Sequence, residues 1–147
     1  MPSPSQLFEP DKIIVHHSAC ADGPGNNTAE IRLYHLGLGY RDIGYHILIE
    51  DVGGHFEALH GRDWDLYGAH TLGQNNKALG ICFVGNFELA APAPGQLIVG
   101  AKPIAYWCRV FGIPASEIYP HSQFNATACP GKLFPMYRLR ELVEAAI

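Results

Sequence analysis

Hydrophobic positions along this chain fall either into short unbroken runs or into longer periodic stretches, and the two patterns predict different elements. Ile13, Ile14 and Val15 form a β-branched run that ends at His16 and His17, the composition of a buried central strand. Tyr45 to Glu50 reads as a second strand, Gly53-Gly54 as a turn, and His55 to Glu57 as a short returning strand. Leu79 to Gly85 reads as a further buried strand. Asn27 followed by Glu30 has the form of a capping box, so a helix is predicted to begin there. Its Ile31, Tyr34, His35 and Leu38 share one face, and Gly37 and Gly39 end it. A longer helix is predicted from about Gln96 to Phe111, with Leu97, Ala101, Ile104, Cys108 and Phe111 at helical spacing. Pro103 lies inside that pattern and predicts a kink, or a true start near Lys102. The last helix runs roughly from Phe134 to Ala146 and buries Leu139, Leu142 and Val143.

Between these elements, Ala21 to Gly25 is loop and Ala91 to Pro94 a proline-rich linker. The Pro- and Ser-rich residues 1–11 read as a flexible lead-in, and 12–147 as one domain. Strands alternating with helices, plus a hairpin, give the fold class: α/β, a single domain with a central mixed sheet flanked by helices.

Composition narrows the functions available. The chain has 147 residues, 48% hydrophobic and 16% charged, which suits one globular domain able to bury a core. A net charge of −4 with no basic patch or tail argues against nucleic acid or an anionic membrane surface as partner. No apolar stretch approaches the roughly 18 residues that span a bilayer. No signal-peptide pattern is visible at the N-terminus, so the expectation is cytoplasmic synthesis, with any action on a cell wall following release or export. Four cysteines without CxxC spacing suit reduced thiols.

Eight histidines are many for this length and invite a metal reading. His16 ends the first apolar run, and His121 and Cys129 share a loop before the last helix. Two imidazoles and one thiolate form a donor set suited to zinc, and three protein ligands leave one position open, as catalytic zinc requires. Spacing alone leaves the alternative of three unrelated residues standing, because such spacing is permissive and no HExxH helix is present. His17 alternates with His16 and should face the opposite side of the strand as a structural histidine. His35, on an apolar helix face, reads as a hydrogen-bonded core group, and Cys82 and Cys108 as core thiols.

Neighbouring motifs decide between these readings. The segments Val15-His16-His17-Ser18-Ala19, Asp42 to His46, Gly61-Arg62-Asp63-Trp64, Gly68-Ala69-His70 and Leu79 to Phe87 resemble those of type 2 N-acetylmuramoyl-L-alanine amidases. Within that family they look like peptidoglycan recognition proteins and small phage lysozyme-type amidases, in order from about residue 12 to the C-terminus. The resemblance implies one Zn2+ ion on His16, His121 and Cys129. It implies Tyr45 as the phenol that assists at the reacting water and the developing oxyanion. Thr127 sits where recognition-protein amidases carry Thr and where phage and recycling enzymes usually carry Lys. His70, Arg62, Trp64 and His46 are the weaker candidates for substrate contact, Arg62 against a peptide carboxylate.

The expected activity is hydrolysis of the amide between N-acetylmuramic acid and L-alanine in peptidoglycan, by a monomer acting as a phage or prophage endolysin. The alternatives are a non-catalytic peptidoglycan-binding module and a cytosolic muropeptide-recycling amidase. Recycling enzymes usually end the triad in Asp and carry a carboxylate on the strand that here holds Cys82 and Val84, which disfavours that role. A purely structural zinc needs a fourth protein ligand, for which His17 and His46 are poor candidates. Recognition proteins pair a cysteine near Cys20 locally. No second cysteine lies near it here, so Cys20 is expected to be free.

Overall fold

The computed structural model describes residues 8–20 and 26–147. The expected loop at Ala21 to Gly25, and residues 1–7 of the lead-in, lie outside the described residues.

Five strands form one sheet in the order β3-β2-β4-β1-β5. The strands are β1 (Lys12–His17), β2 (Ile47–Val52), β3 (His55–His60), β4 (Ala78–Phe83) and β5 (Ile118–Pro120). β2, β4, β1 and β5 run parallel, and β3 returns antiparallel to β2 through the Gly53-Gly54 turn, so the sheet is mixed. Both turn glycines have positive φ, 64° and 93°, a conformation that side chains with a Cβ disfavour. β5 carries no period of its own in three residues, and the sequence pattern missed it.

Because side chains alternate, register assigns each residue to a face. Ile13, Val15, Ile47, Ile49, Leu79, Ile81 and Phe83 meet in one large core cluster with Leu97, Ile104, Trp107, Leu139 and Val143. Those partners come from α2 (Pro94–Phe111) and α3 (Met136–Ala146). On the other face a small cluster of Ile43, Leu48, Cys82 and Val84 packs against Ile31 and Tyr45. This side carries α1 (Thr28–Gly37), whose Thr28 amide and hydroxyl both donate to the buried Glu50 carboxylate. A carboxylate at a helix N-terminus satisfies first-turn donors and complements the helix dipole.

Three expectations are corrected. α2 runs unbroken through Pro103 from Pro94, with no start at Lys102. Residues of both halves are buried in the core (Leu97 and Ala101 before the proline, Ile104 and Trp107 after it), which outweighs one missing N–H. Tyr34 of α1 and Leu38, which caps its C-terminal end, are exposed, leaving Thr28 buried and Ile31 and His35 partly so. Packing also begins before residue 12: Phe8 is buried, stacks on His46 at 5.8 Å, and Asp11 N–H donates to Lys77 C=O.

Candidate active site

The parallel pairing of β1 with β5 builds the site. Ile13 is level with Ile118 and Val15 with Pro120, so the residues that follow, His16 and His121, emerge side by side. Their ring centroids are 4.6 Å apart. His121 opens a single 3-10 turn, and the loop after it closes when Ser122 N–H donates to Cys129 C=O. Cys129 Sγ then lies 3.7 Å from His16 Nδ1 and accepts the His17 N–H at 3.3 Å. Ligand atoms of His16, His121 and Cys129 all fall within 4.8 Å of one another, the sole such group among the described residues. The sequence-derived triad is therefore assembled by the fold.

The donor chemistry fits one zinc ion. His16 is almost fully buried, and burial first, then the neighbouring His70 and His121, hold its pKa well below the ordinary value. It is a neutral imidazole, the form that ligates. Burial pushes the Cys129 thiol up to about 11, an effect the His17 amide partly offsets. A bound cation would reverse that balance, since ligation deprotonates a thiol.

Tyr45 stands beside His16, ring centroids 5.1 Å apart. Burial above all, then the Cys82 and Cys129 thiols, raise its pKa well above the ordinary phenol value. Cys82 is a core thiol as expected: fully buried, level with His16 in the β1–β4 register, and a member of the small apolar cluster against which Tyr45 packs. Thr127 is exposed, and its Oγ1 accepts the Cys129 N–H at 3.2 Å, which leaves its own proton to donate outward. Next to Tyr45 opens a groove of about 500 Å³ whose walls include Ser18, Asn26, Glu30, Tyr34 and His35.

The four weaker substrate candidates sit elsewhere. Arg62 is buried, with its guanidinium donating to the carbonyls of Ile43, Tyr67 and Asp42, so it ties loops together and is not among the groove's lining residues. Trp64 packs edge-on against Trp107 and donates to the His46 carbonyl, on the helix side of the sheet. His46 has no exposed surface, accepts the Gly80 N–H and donates to Leu66 C=O, and burial lowers its pKa to about 4. His70 lies behind His16, its Nδ1 2.9 Å from His16 Nε2, rather than at the groove edge. His17 faces away as expected and accepts the Phe87 N–H, and Cys20 is free and exposed. Sequence reasoning missed Asn125, whose Oδ1 is 2.7 Å from His121 Nε2, and Asn75, whose Oδ1 accepts the amides of His70 and Thr71. Their only trace was a polar loop composition, which names no partner.

The chain matches the family described as N-acetylmuramoyl-L-alanine amidase over residues 6–132. It is 34% identical over 126 residues to peptidoglycan-recognition protein SC2 of Drosophila simulans, covering 80% of this chain and 66% of that protein. This chain thus spans about two thirds of the length of that relative. Among solved structures it is similar to the endolysin amidase LysCS of Clostridium intestinale, with TM-score 0.84, 27% identity, and coverage of 98% of this chain and 89% of that one. Bumblebee PGRP-SA gives TM-score 0.74 at 31% identity, covering 87% and 79%.

Proposed function

The chain belongs to the N-acetylmuramoyl-L-alanine amidase family, and from that premise we propose that it hydrolyses the amide between N-acetylmuramic acid and L-alanine in peptidoglycan, with one zinc ion on His16, His121 and Cys129. The observation that carries this reading is the three-donor set, with His121 and Cys129 only partly buried, beside Tyr45, which itself lines the groove. A closed structural site would need a fourth protein ligand. Among the described residues no further His, Cys, Asp or Glu joins the group.

A zinc ion held there supplies a Lewis acid that polarises the scissile carbonyl and acidifies water. The chain's own residues do the rest. Tyr45 keeps its proton at neutral pH and donates it as a hydrogen bond to the developing oxyanion, where one such donor is worth about 2.7–4 kcal/mol of barrier. Thr127, its oxygen pinned by the Cys129 amide, is the second donor. Among the described residues no carboxylate joins the triad, so Tyr45 is also the relay: its oxygen accepts the proton that water loses as its own proton passes to the departing L-alanine nitrogen. The groove beside Tyr45 takes the stem peptide. The likeness to the clostridial endolysin and to peptidoglycan recognition proteins supports the wall polymer as substrate, met after release or export.

Incubation with purified peptidoglycan, followed by assay of new L-alanine amino termini, tests the reading. Release that stops with chelator and returns with zinc is expected. Binding to the wall without release on any wall type would make the protein a recognition module instead.

A further inference from the structure

Two imidazoles can present the same nitrogen to an ion only if something fixes their protons, and one loop does this for both rings. His70 Nε2 faces the Ala78 carbonyl at 3.1 Å. A carbonyl only accepts, so Nε2 carries the His70 proton and Nδ1 is a bare acceptor. His16 Nε2 lies 2.9 Å from that Nδ1, with Thr71 Oγ1 beside them, so the His16 proton sits on Nε2. The other nitrogen, Nδ1, then faces Cys129 with its lone pair free.

The same reasoning applies to His121. The Asn125 amide group donates to the carbonyls of Leu72 and Phe124, which turns its Oδ1 toward His121 Nε2 at 2.7 Å. His121 therefore also carries its proton on Nε2 and keeps Nδ1 bare. Leu72 lies two residues after His70 on the same loop.

That loop is built to hold still. Asn75 Oδ1 accepts the amides of both His70 and Thr71 at 2.9 Å. The His70 ring fills a slot that a Cβ would close: one added at Gly80 would lie 2.6 Å from the ring, and one at Gly68 2.5 Å. Glycine at both positions lets the imidazole lie against the backbone.

We propose that the loop from Gly68 to Lys77 is a positioning element, which through His70, and through the Leu72 carbonyl and Asn125, fixes the protons of His16 and His121 on Nε2 and presents both Nδ1 atoms to the ion. His70 and Asn125 are positioning residues, for they touch ligands and no reacting atom. The inference rests on the zinc reading of the site, but its first readout needs no metal.

Long-range 15N–1H NMR of the chelator-stripped protein at pH 8 should show His16 and His121 as Nε2–H tautomers. It should also show coupling across the hydrogen bond from His16 Nε2 to His70 Nδ1. His70→Leu and Asn125→Leu should each weaken zinc binding about 10–100-fold in chelator competition, as loss of such partners does elsewhere. His70→Asn and Asn125→Asp, which keep an acceptor in place, should recover most of it. If His70→Leu fails to fold, the partly exposed Asn125 carries the affinity test. A proton on Nδ1 of His16 or His121, or unchanged affinity in the Leu variants, overturns the proposal. A wild-type protein that takes up no zinc overturns the function proposed above, while the tautomers still decide the loop's role.

Discussion

On the α2 and α3 side of the sheet, alternate strand residues from Ile13 to Phe83 meet Trp107, Leu139 and Val143 in one cluster held by burial. On the α1 side the apolar cluster has four buried members, and the remaining space holds His16, Glu50 and the rings and loops around them. The first side tolerates change in proportion to volume, because burial is non-directional. The second depends on direction: Thr28 on Glu50, His70 on His16, Asn125 on His121. His16 and His17, adjacent in sequence, fall on opposite sides and do different work. The difference teaches that one half of the molecule carries stability and the other spends hydrogen bonds on aim.

Substitutions on each side sharpen that division, and the largest effect is expected at Cys129. Cys129→Ala should abolish wall hydrolysis, a loss of at least about 10³-fold, by removing a ligand that no neighbour replaces. Its stability without metal should fall by only about 1–3 kcal/mol, the cost of leaving the His17 N–H without its acceptor. Trp107→Ala, on the other side, should cost about 3–5 kcal/mol in denaturant unfolding. The fraction still folded should bind zinc with wild-type affinity; coupled loss of affinity would break the division between the two faces.

Tyr45→Phe should slow hydrolysis about 10²–10³-fold with zinc affinity retained, since it removes a donor and no ligand. Full turnover with zinc bound would remove Tyr45 from the chemistry. Acid tests the boundary between the sides, where His46 lies. Its folded pKa, about 4, is below the ordinary 6.5, so between these values the unfolded chain takes up a proton that the folded one refuses. The stability it contributes is present above pH 6.5 and lost as pH falls toward 4, about 3 kcal/mol over the whole window. Denaturant midpoints of chelator-stripped protein at pH 7 and 4.5 should show the drop, to which the buried His70, with its pKa near 3, adds in the same direction. A flat profile would mean that neither imidazole is buried neutral.

The same division explains what could be read from the chain. Ile13-Ile14-Val15 and Leu79 to Phe83 were legible because burial on both faces leaves an unbroken apolar run, and Leu139 and Val143 because burial of one helix face imposes a helical spacing. The triad was legible through its motifs, and register then supplied the reason His16 and His121 meet. What stayed hidden was set by contacts between residues far apart in sequence. Arg62 and Trp64 stood in motifs that suggested a groove, yet their polar atoms are taken by backbone carbonyls. His70 and Asn125 bond to partners 54 and 4 residues away, and neither spacing announces a role. β5, three residues long, drew its place from pairing with β1 alone.

The central claim is that a single ion on His16, His121 and Cys129 drives hydrolysis. Zinc titration of chelator-stripped protein, with release of L-alanine amino termini followed at each step, tests it most directly. Activity should be absent at the start, rise in proportion to added zinc and saturate at one equivalent. Hydrolysis by the stripped protein, or saturation only at two equivalents, would contradict it.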